Sequence, residues 1–189
     1  MVLSIWNNGR YLAVSSEGGH ADFVPANREE FMLSEYIKKR YGHASMERVL
    51  SGPGIVNIYT WLRDSRSYKE PKWIAKHMKH MDPSRVITQA ATENKTPICV
   101  KTLNVFMSAL GAAAGNLALT GLTLGGMYLG GGIPYKILPW LKSGVFMDSF
   151  VAKGRFKEML KAITVRVLLN EHIPLQGAAS IAFDSIEHS

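Results

Sequence analysis

Glu17-Gly18-Gly19-His20-Ala21-Asp22-Phe23 and Ser45-Met46-Glu47-Arg48-Val49-Leu50-Ser51-Gly52-Pro53-Gly54-Ile55-Val56-Asn57 are two polar clusters separated by one amphipathic segment. Ionised carboxylates accept hydrogen bonds from hydroxyl groups, and an imidazole donates or accepts. Glu17, His20 and Glu47 beside flexible glycine backbone therefore suit a polyhydroxylated ligand. The spacing suggests one pocket assembled from both segments.

Working outward, Val2 to Val14 reads as apolar, turn, apolar, with Asn7-Asn8-Gly9 between Ile5-Trp6 and Tyr11-Leu12. Asn-Gly readily supplies the positive φ of a tight turn, so a β-hairpin is predicted. Asn27 is a cap for a helix ending at Gly42, whose apolar side is Phe31, Leu33, Tyr36, Ile37 and Tyr41. Ser45 is expected to cap a helix from Met46 to Leu50 that Gly52-Pro53-Gly54 breaks before Ile55 to Leu62 resumes it. That break could bring the backbone close to a ligand or simply turn one helix onto another.

Farther along, Lys69 to Met81 and Asp82 to Glu93 read as two peripheral helices, divided by the capping sequence Asp82-Pro83-Ser84. Thr96-Pro97 opens a longer helix to about Ala118, whose small residues should let it lie against a sheet. Thr123 to Leu129 is a predicted buried strand, then Gly130-Gly131-Gly132 and a helix from Pro134. Glycines between a strand and a helix N-terminus allow close backbone approach to a flat ring or an anion. A short helix opening at Lys153-Gly154-Arg155-Phe156, a strand over Thr164 to Leu169 and a helix from Pro174 to about Ile186 complete the chain.

The 189 residues are 47% hydrophobic and 20% charged, enough for one buried core and unlike a disordered chain. The net charge of +7 invites a nucleic-acid reading. However, Lys38-Lys39-Arg40 ends a helix, where cations favour the macrodipole, and Lys76-His77-Met78-Lys79-His80 lies on a short amphipathic helix. Neither run makes a phosphate-tracking patch, so no nucleic-acid partner is expected. Leu103 to Ile133 imitates a membrane span, but Asn104, Asn116 and the glycines Gly111, Gly115, Gly121, Gly125 and Gly126 favour a buried helix and strand, so no membrane partner is expected either. Cys99 has no intrachain partner and no leader pattern opens the sequence, so a cytoplasmic location is expected. A His77/His80 metal site and a Glu17/Asp22 glycosidase pair are weaker readings: solvated histidines and loop carboxylates explain those residues as well.

The two clusters, together with Gly130-Gly131-Gly132-Ile133-Pro134 and Lys153-Gly154-Arg155-Phe156-Lys157, closely resemble the bacterial ATP-dependent glucokinase family. That family belongs to the sugar kinases of the actin/hexokinase ATPase superfamily, and the resemblance covers nearly the whole chain. It implies an α/β, ribonuclease H-like fold with a mixed sheet and helices on both faces. By the same resemblance, Glu17, His20 and Glu47 hold D-glucose by its hydroxyls. Gly130, Gly131 and Gly132 are similar to the adenosine-side segment, ATP and Mg²⁺ are the cofactors, and a homodimer is expected.

Two family elements are absent from the sequence. One is the Asp-x-Gly-Gly-Thr phosphate loop; the other is the Asn-Asp pair whose aspartate activates the sugar hydroxyl. Met1 also stands where the family has a Gly-Thr-Gly-Leu-Gly turn. The resemblance thus implies the larger, C-terminal domain over residues 1–189, with a truncated first strand and a last helix, about 174–187, that normally packs on the smaller domain. The expected identity is a glucokinase inactive as an isolated chain; the rival is a non-catalytic sugar-sensing or dimerisation module.

Overall fold

The structure, a computed structural model, describes residues 3–7, 10–170 and 172–187. Strands β1 (Leu3–Asn7) and β2 (Arg10–Val14) pair antiparallel, with Leu3 opposite Val14 and Asn7 opposite Arg10. This is the predicted hairpin; Asn8 and Gly9 lie outside the described residues. Helix α1 (Arg28–Tyr41) begins as expected, with the Asn27 side chain accepting from the Glu30 N–H, and ends at Gly42 in the left-handed region at φ +79°. Its buried side differs from the predicted stripe: Leu33 and Ile37 are buried, Phe31 is exposed, and Glu30 and Ser34 take places in the interior.

The expected helix over Met46 to Leu50 is instead a compact turn, and Gly52-Pro53-Gly54 starts a helix rather than breaking one. Helix α2 (Gly52–Asp64) is capped by Ser51, whose Oγ accepts from the Gly54 N–H at 3.0 Å. Proline in a first helical turn loses no hydrogen bond, because that N–H has no intrahelical acceptor. Gly54 is required for a different reason. A Cβ there would lie 2.3 Å from the Val49 carbonyl oxygen, so only glycine lets the 46–50 turn rest on the helix start.

Helices α3 (Lys72–His77) and α4 (Pro83–Thr92) follow. They are less peripheral than expected, since Ile74, Ile87, Ala90 and Ala91 are all buried. Asp82 caps α4, accepting from the Arg85 N–H at 2.9 Å and the Ser84 hydroxyl at 2.6 Å. The Ser84 bond, then that of Arg85, holds the Asp82 carboxyl below its ordinary value. Asp82→Ala should cost about 1 kcal/mol. Because the folded value is depressed, this contribution is complete above the ordinary carboxylate range and is lost as pH falls through the folded value. Thermal melts of parent and variant should therefore differ at neutral pH and converge as the pH falls below the depressed folded value.

At the centre runs α5 (Pro97–Gly121), capped by Thr96 and in contact with α1, α2, α4, α6 (Leu138–Leu141) and α7 (Val145–Val151). Among the described residues it is the helix long and apolar enough to cross a membrane, but 67% of its most apolar window is buried in the fold. It reads as a core helix. Its small residues serve a helix rather than the expected sheet: a Cβ on Gly111 would sit 2.2 Å from the Phe146 carbonyl oxygen, and one on Gly115 2.4 Å from that of Phe150. Cys99 is buried on this helix, and burial pushes its thiol pKa up.

Strand β3 (Met127–Leu129) is shorter than the predicted strand and pairs in parallel with β4 (Val165–Val167). A turn occupies 132–137, so the next helix, α6, starts at Leu138 instead of near Pro134. A 3-10 turn over Gly154–Phe156 leads into α8 (Lys157–Ala162), and α9 (Ile173–Glu187) closes the described chain. The fold is α/β. Among the described residues its strands form two separate two-stranded sheets, one antiparallel and one parallel, rather than one mixed sheet with helices on both faces.

Candidate functional site

The site is built where the segment before α1 meets the turn before α2. Gly18–His20 forms a single 3-10 turn, closed by the His20 N–H donating to the Glu17 carbonyl at 2.8 Å. Three further main-chain bonds join the segments: Glu47 N–H to the Gly19 carbonyl at 2.8 Å, Met46 N–H to that of Ala21 at 2.9 Å and Phe23 N–H to that of Ala44 at 2.8 Å. Asp22 and Ser45 face each other as an antiparallel bridge. Phe23 is buried, which anchors this ribbon on the core.

The ribbon brings all three predicted sugar ligands together. His20 Nε2 lies 3.4 Å from Glu47 Oε2 and 3.9 Å from Glu17 Oε2. All three side chains are mostly exposed, at 65% for His20, 58% for Glu47 and 93% for Glu17. Two carboxylates flanking an imidazole on an open face can accept from several hydroxyls and return one donor. Asp22 does not join them; its carboxylate accepts from His43 Nε2 at 2.7 Å.

Contacts between residues distant in sequence hold this arrangement, and sequence reasoning assigned none of them. Asn57 Nδ2 donates to the Arg48 carbonyl at 2.9 Å while Asn57 Oδ1 accepts from the Tyr41 hydroxyl at 2.9 Å. The Arg48 guanidinium lies 4.0 Å from the centre of the Tyr41 ring. At the start of α1, the fully buried Glu30 accepts from the Ala26 N–H at 2.7 Å, Asn27 Nδ2 at 2.9 Å and the Ser108 hydroxyl at 2.7 Å. Ser149 on α7 donates to Ser108 at 3.3 Å, so one polar chain links α7, α5 and α1. Lys153 donates to the Ala112 carbonyl at 3.1 Å; burial lowers its pKa, and the Glu30 charge opposes that shift. The one clue in the sequence was a polar residue on an otherwise apolar helical face, as at Asn57 and Glu30.

The glycine turn after β3 is also open. Gly131 has φ +98°, with nothing within 4 Å of a Cβ placed there or on Gly132, whereas a Cβ on Gly130 would press on Leu168 Cδ1 at 3.2 Å. Such a turn fits the approach of a flat ring. Among the described residues no group of three or more His, Cys, Asp or Glu side chains could hold a metal ion. His77, the weaker metal candidate, donates from Nδ1 to the Trp73 carbonyl at 2.7 Å and packs edge-on against the Trp73 ring.

A family model described as Glucokinase matches residues 1–185. The chain belongs to the glucokinase family. Among curated family members, the glucokinase of Synechocystis sp. is 40% identical over 190 residues, covering 94% of this chain and 54% of that protein. That of Campylobacter jejuni subsp. doylei is 41% identical over 172 residues, covering 91% of this chain and 49% of that protein. The chain thus spans about half the length of the curated relatives it matches. Its fold is similar to the crystal structure of a glucokinase from an Antarctic psychrotroph, with a TM-score of 0.78 and 31% identity over 93% of this chain and 52% of that one. A glucokinase from Balamuthia mandrillaris solved in complex with glucose gives a TM-score of 0.69 and 25% identity, covering 83% of this chain and 43% of the other.

Proposed function

We propose that this chain is the sugar-holding part of an ATP-dependent glucokinase, which moves the γ-phosphoryl group of ATP to the 6-hydroxyl of D-glucose. The observation that carries the reading is the meeting of Glu17, His20 and Glu47 on a backbone-bonded ribbon. The Balamuthia relative, named as a glucose complex, supports the sugar. Glu17 and Glu47 accept from glucose hydroxyls and His20 bonds near the anomeric end. Hydrogen bonds to charged groups contribute about 1.5–3 kcal/mol each, enough for weak binding by this set alone.

Gly130, Gly131 and Gly132 present backbone to the adenosine side of ATP. Mg²⁺ would arrive on the nucleotide phosphates, its usual carrier, and supplies charge neutralisation for phosphoryl transfer. The base that takes the proton from the 6-hydroxyl, and the phosphate loops, are not among these residues. The isolated chain accordingly binds sugar without turning it over. The reading includes a ribonuclease H-like larger domain in the cytoplasm and pairing into a homodimer. Exposed apolar side chains on β1 and α9, such as Ile5, Leu175 and Phe183, are available for a smaller domain to cover.

Calorimetric titration with D-glucose tests the proposal, with Glu17→Ala as the control. Saturable heat at roughly millimolar sugar that disappears in the variant is the expected result. No heat from the parent chain, or identical heat from the variant, overturns a preformed glucose half-site.

A further inference from the structure

The Glu47 carboxylate is mostly exposed, so its aim depends on the main chain beneath it. That main chain is held at each peptide. The Glu47 N–H is bonded to Gly19, the Glu47 carbonyl accepts the Ser51 hydroxyl at 2.6 Å, and the Arg48 carbonyl accepts Asn57 Nδ2. Asn57 is buried at 8% exposure on the α2 face that also carries the buried Gly54 and Trp61, where burial alone would be served by an apolar residue. A carboxamide offers a donor and an acceptor at once, and both are used: one for Arg48, the other for the Tyr41 hydroxyl. Arg48 is therefore fixed twice, at its carbonyl by Asn57 and at its guanidinium by the Tyr41 ring. Helix α2 does not need this bond, since Ser51 caps it.

We propose that Asn57, braced by Tyr41, is a positioning residue that sets the orientation of the Arg48–Val49 peptide, the next after that of Glu47, and through this turn the aim of the Glu47 carboxylate beside His20. Its functional meaning rests on the glucose reading above. Aspartate in its place would turn an acceptor toward the Arg48 carbonyl, and leucine would leave that carbonyl and the Tyr41 hydroxyl without each other's bridge.

The test compares Asn57→Leu and Tyr41→Phe with the parent chain, each also in a Glu47→Ala background. Amide hydrogen exchange followed by NMR should be roughly three- to tenfold faster at the Glu47 N–H, the yield of about one net hydrogen bond, with no change at the core Phe106 N–H. The glucose dissociation constant should rise by a similar factor, and that rise should vanish when Glu47 is already alanine, since the two residues act as one unit. A merely structural role would speed Phe106 together with Glu47, or weaken glucose equally in both backgrounds; either result overturns the proposal. If the parent chain takes up no glucose, the half-site reading fails and the exchange ratio alone decides this inference. If Asn57→Leu does not fold, Tyr41→Phe decides it, because that change removes one hydroxyl and keeps the ring under Arg48.

Discussion

Gly111→Ala is expected to lower the melting temperature by roughly 4–8 °C, the equivalent of about 2 kcal/mol in a chain of this size. The added Cβ would stand 2.2 Å from the Phe146 carbonyl oxygen, 3.0 Å from its carbon and 3.0 Å from Ser149 Cβ. Two of these three atoms are backbone, so no side chain can swing away and α7 as a whole must retreat from α5. Alanine gains about 1 kcal/mol over glycine in a helix interior, which offsets part of the loss. Separation wins, because Phe146 and Phe150 are both buried beside α5 and lose contacts across the entire interface. Gly132→Ala is the control, with open space around its Cβ and an expected change within about 0.5 kcal/mol. Thermal unfolding followed by circular dichroism reads both; equal melting temperatures would show that the helices are not in close contact at Gly111.

Glu30→Ala should have a larger effect, about 3 kcal/mol or more. Its carboxylate is fully buried and takes three donors, from Ala26, Asn27 and Ser108. Removing it takes the acceptor from those part-buried donors and leaves a hole at a fully buried position; an unsatisfied buried group costs roughly 1–3 kcal/mol. Glu30→Gln keeps one carbonyl acceptor but turns an amide toward the remaining donors, so an intermediate loss is expected. Urea unfolding midpoints should rank parent above glutamine above alanine. An alanine variant as stable as the parent would mean that this polar chain contributes nothing to the fold. Loss of Glu30 should also loosen the Phe23–Ala26 approach to α1, which lies directly after the His20 loop.

Local chemistry was legible in the sequence wherever it was decided within a few residues. Asn27 and Gly42 delimit α1, Thr96-Pro97 opens α5, and Asp82-Pro83 opens α4, because each cap is set by its own side chain and backbone preference. The Glu17, His20 and Glu47 grouping was legible through the family resemblance, and the geometry brings the three together.

What the sequence hid depends on distant partners. Ser45 and the apolar pattern of Met46 to Leu50 read as a helix, but Met46 and Glu47 spend their N–H groups on Ala21 and Gly19 across a ribbon, and the rest of the segment closes as a turn. Gly52-Pro53-Gly54 reads as a breaker because Pro53 donates no backbone bond and the glycines permit unusual dihedrals, whereas here the three residues are a first turn. The apolar stripe puts Phe31 on the inner face of α1, yet Glu30 takes the interior position because Ser108, 78 residues away, completes its hydrogen bonds. The small residues of α5 as a set read as a surface for a sheet, since small residues declare close approach without naming the neighbour.

The ribbon that carries the site is stitched by peptide groups: Gly19 to Glu47, Ala21 to Met46, Phe23 to Ala44. Peptide groups are common to all side chains. Residues at 17, 20 and 47 can therefore be exchanged without unpicking the framework that displays them, while changes at Asn57 or Glu30 disturb the framework without touching the ligand-facing groups. Replacing all three side chains together should therefore leave the amide protection of the ribbon unchanged.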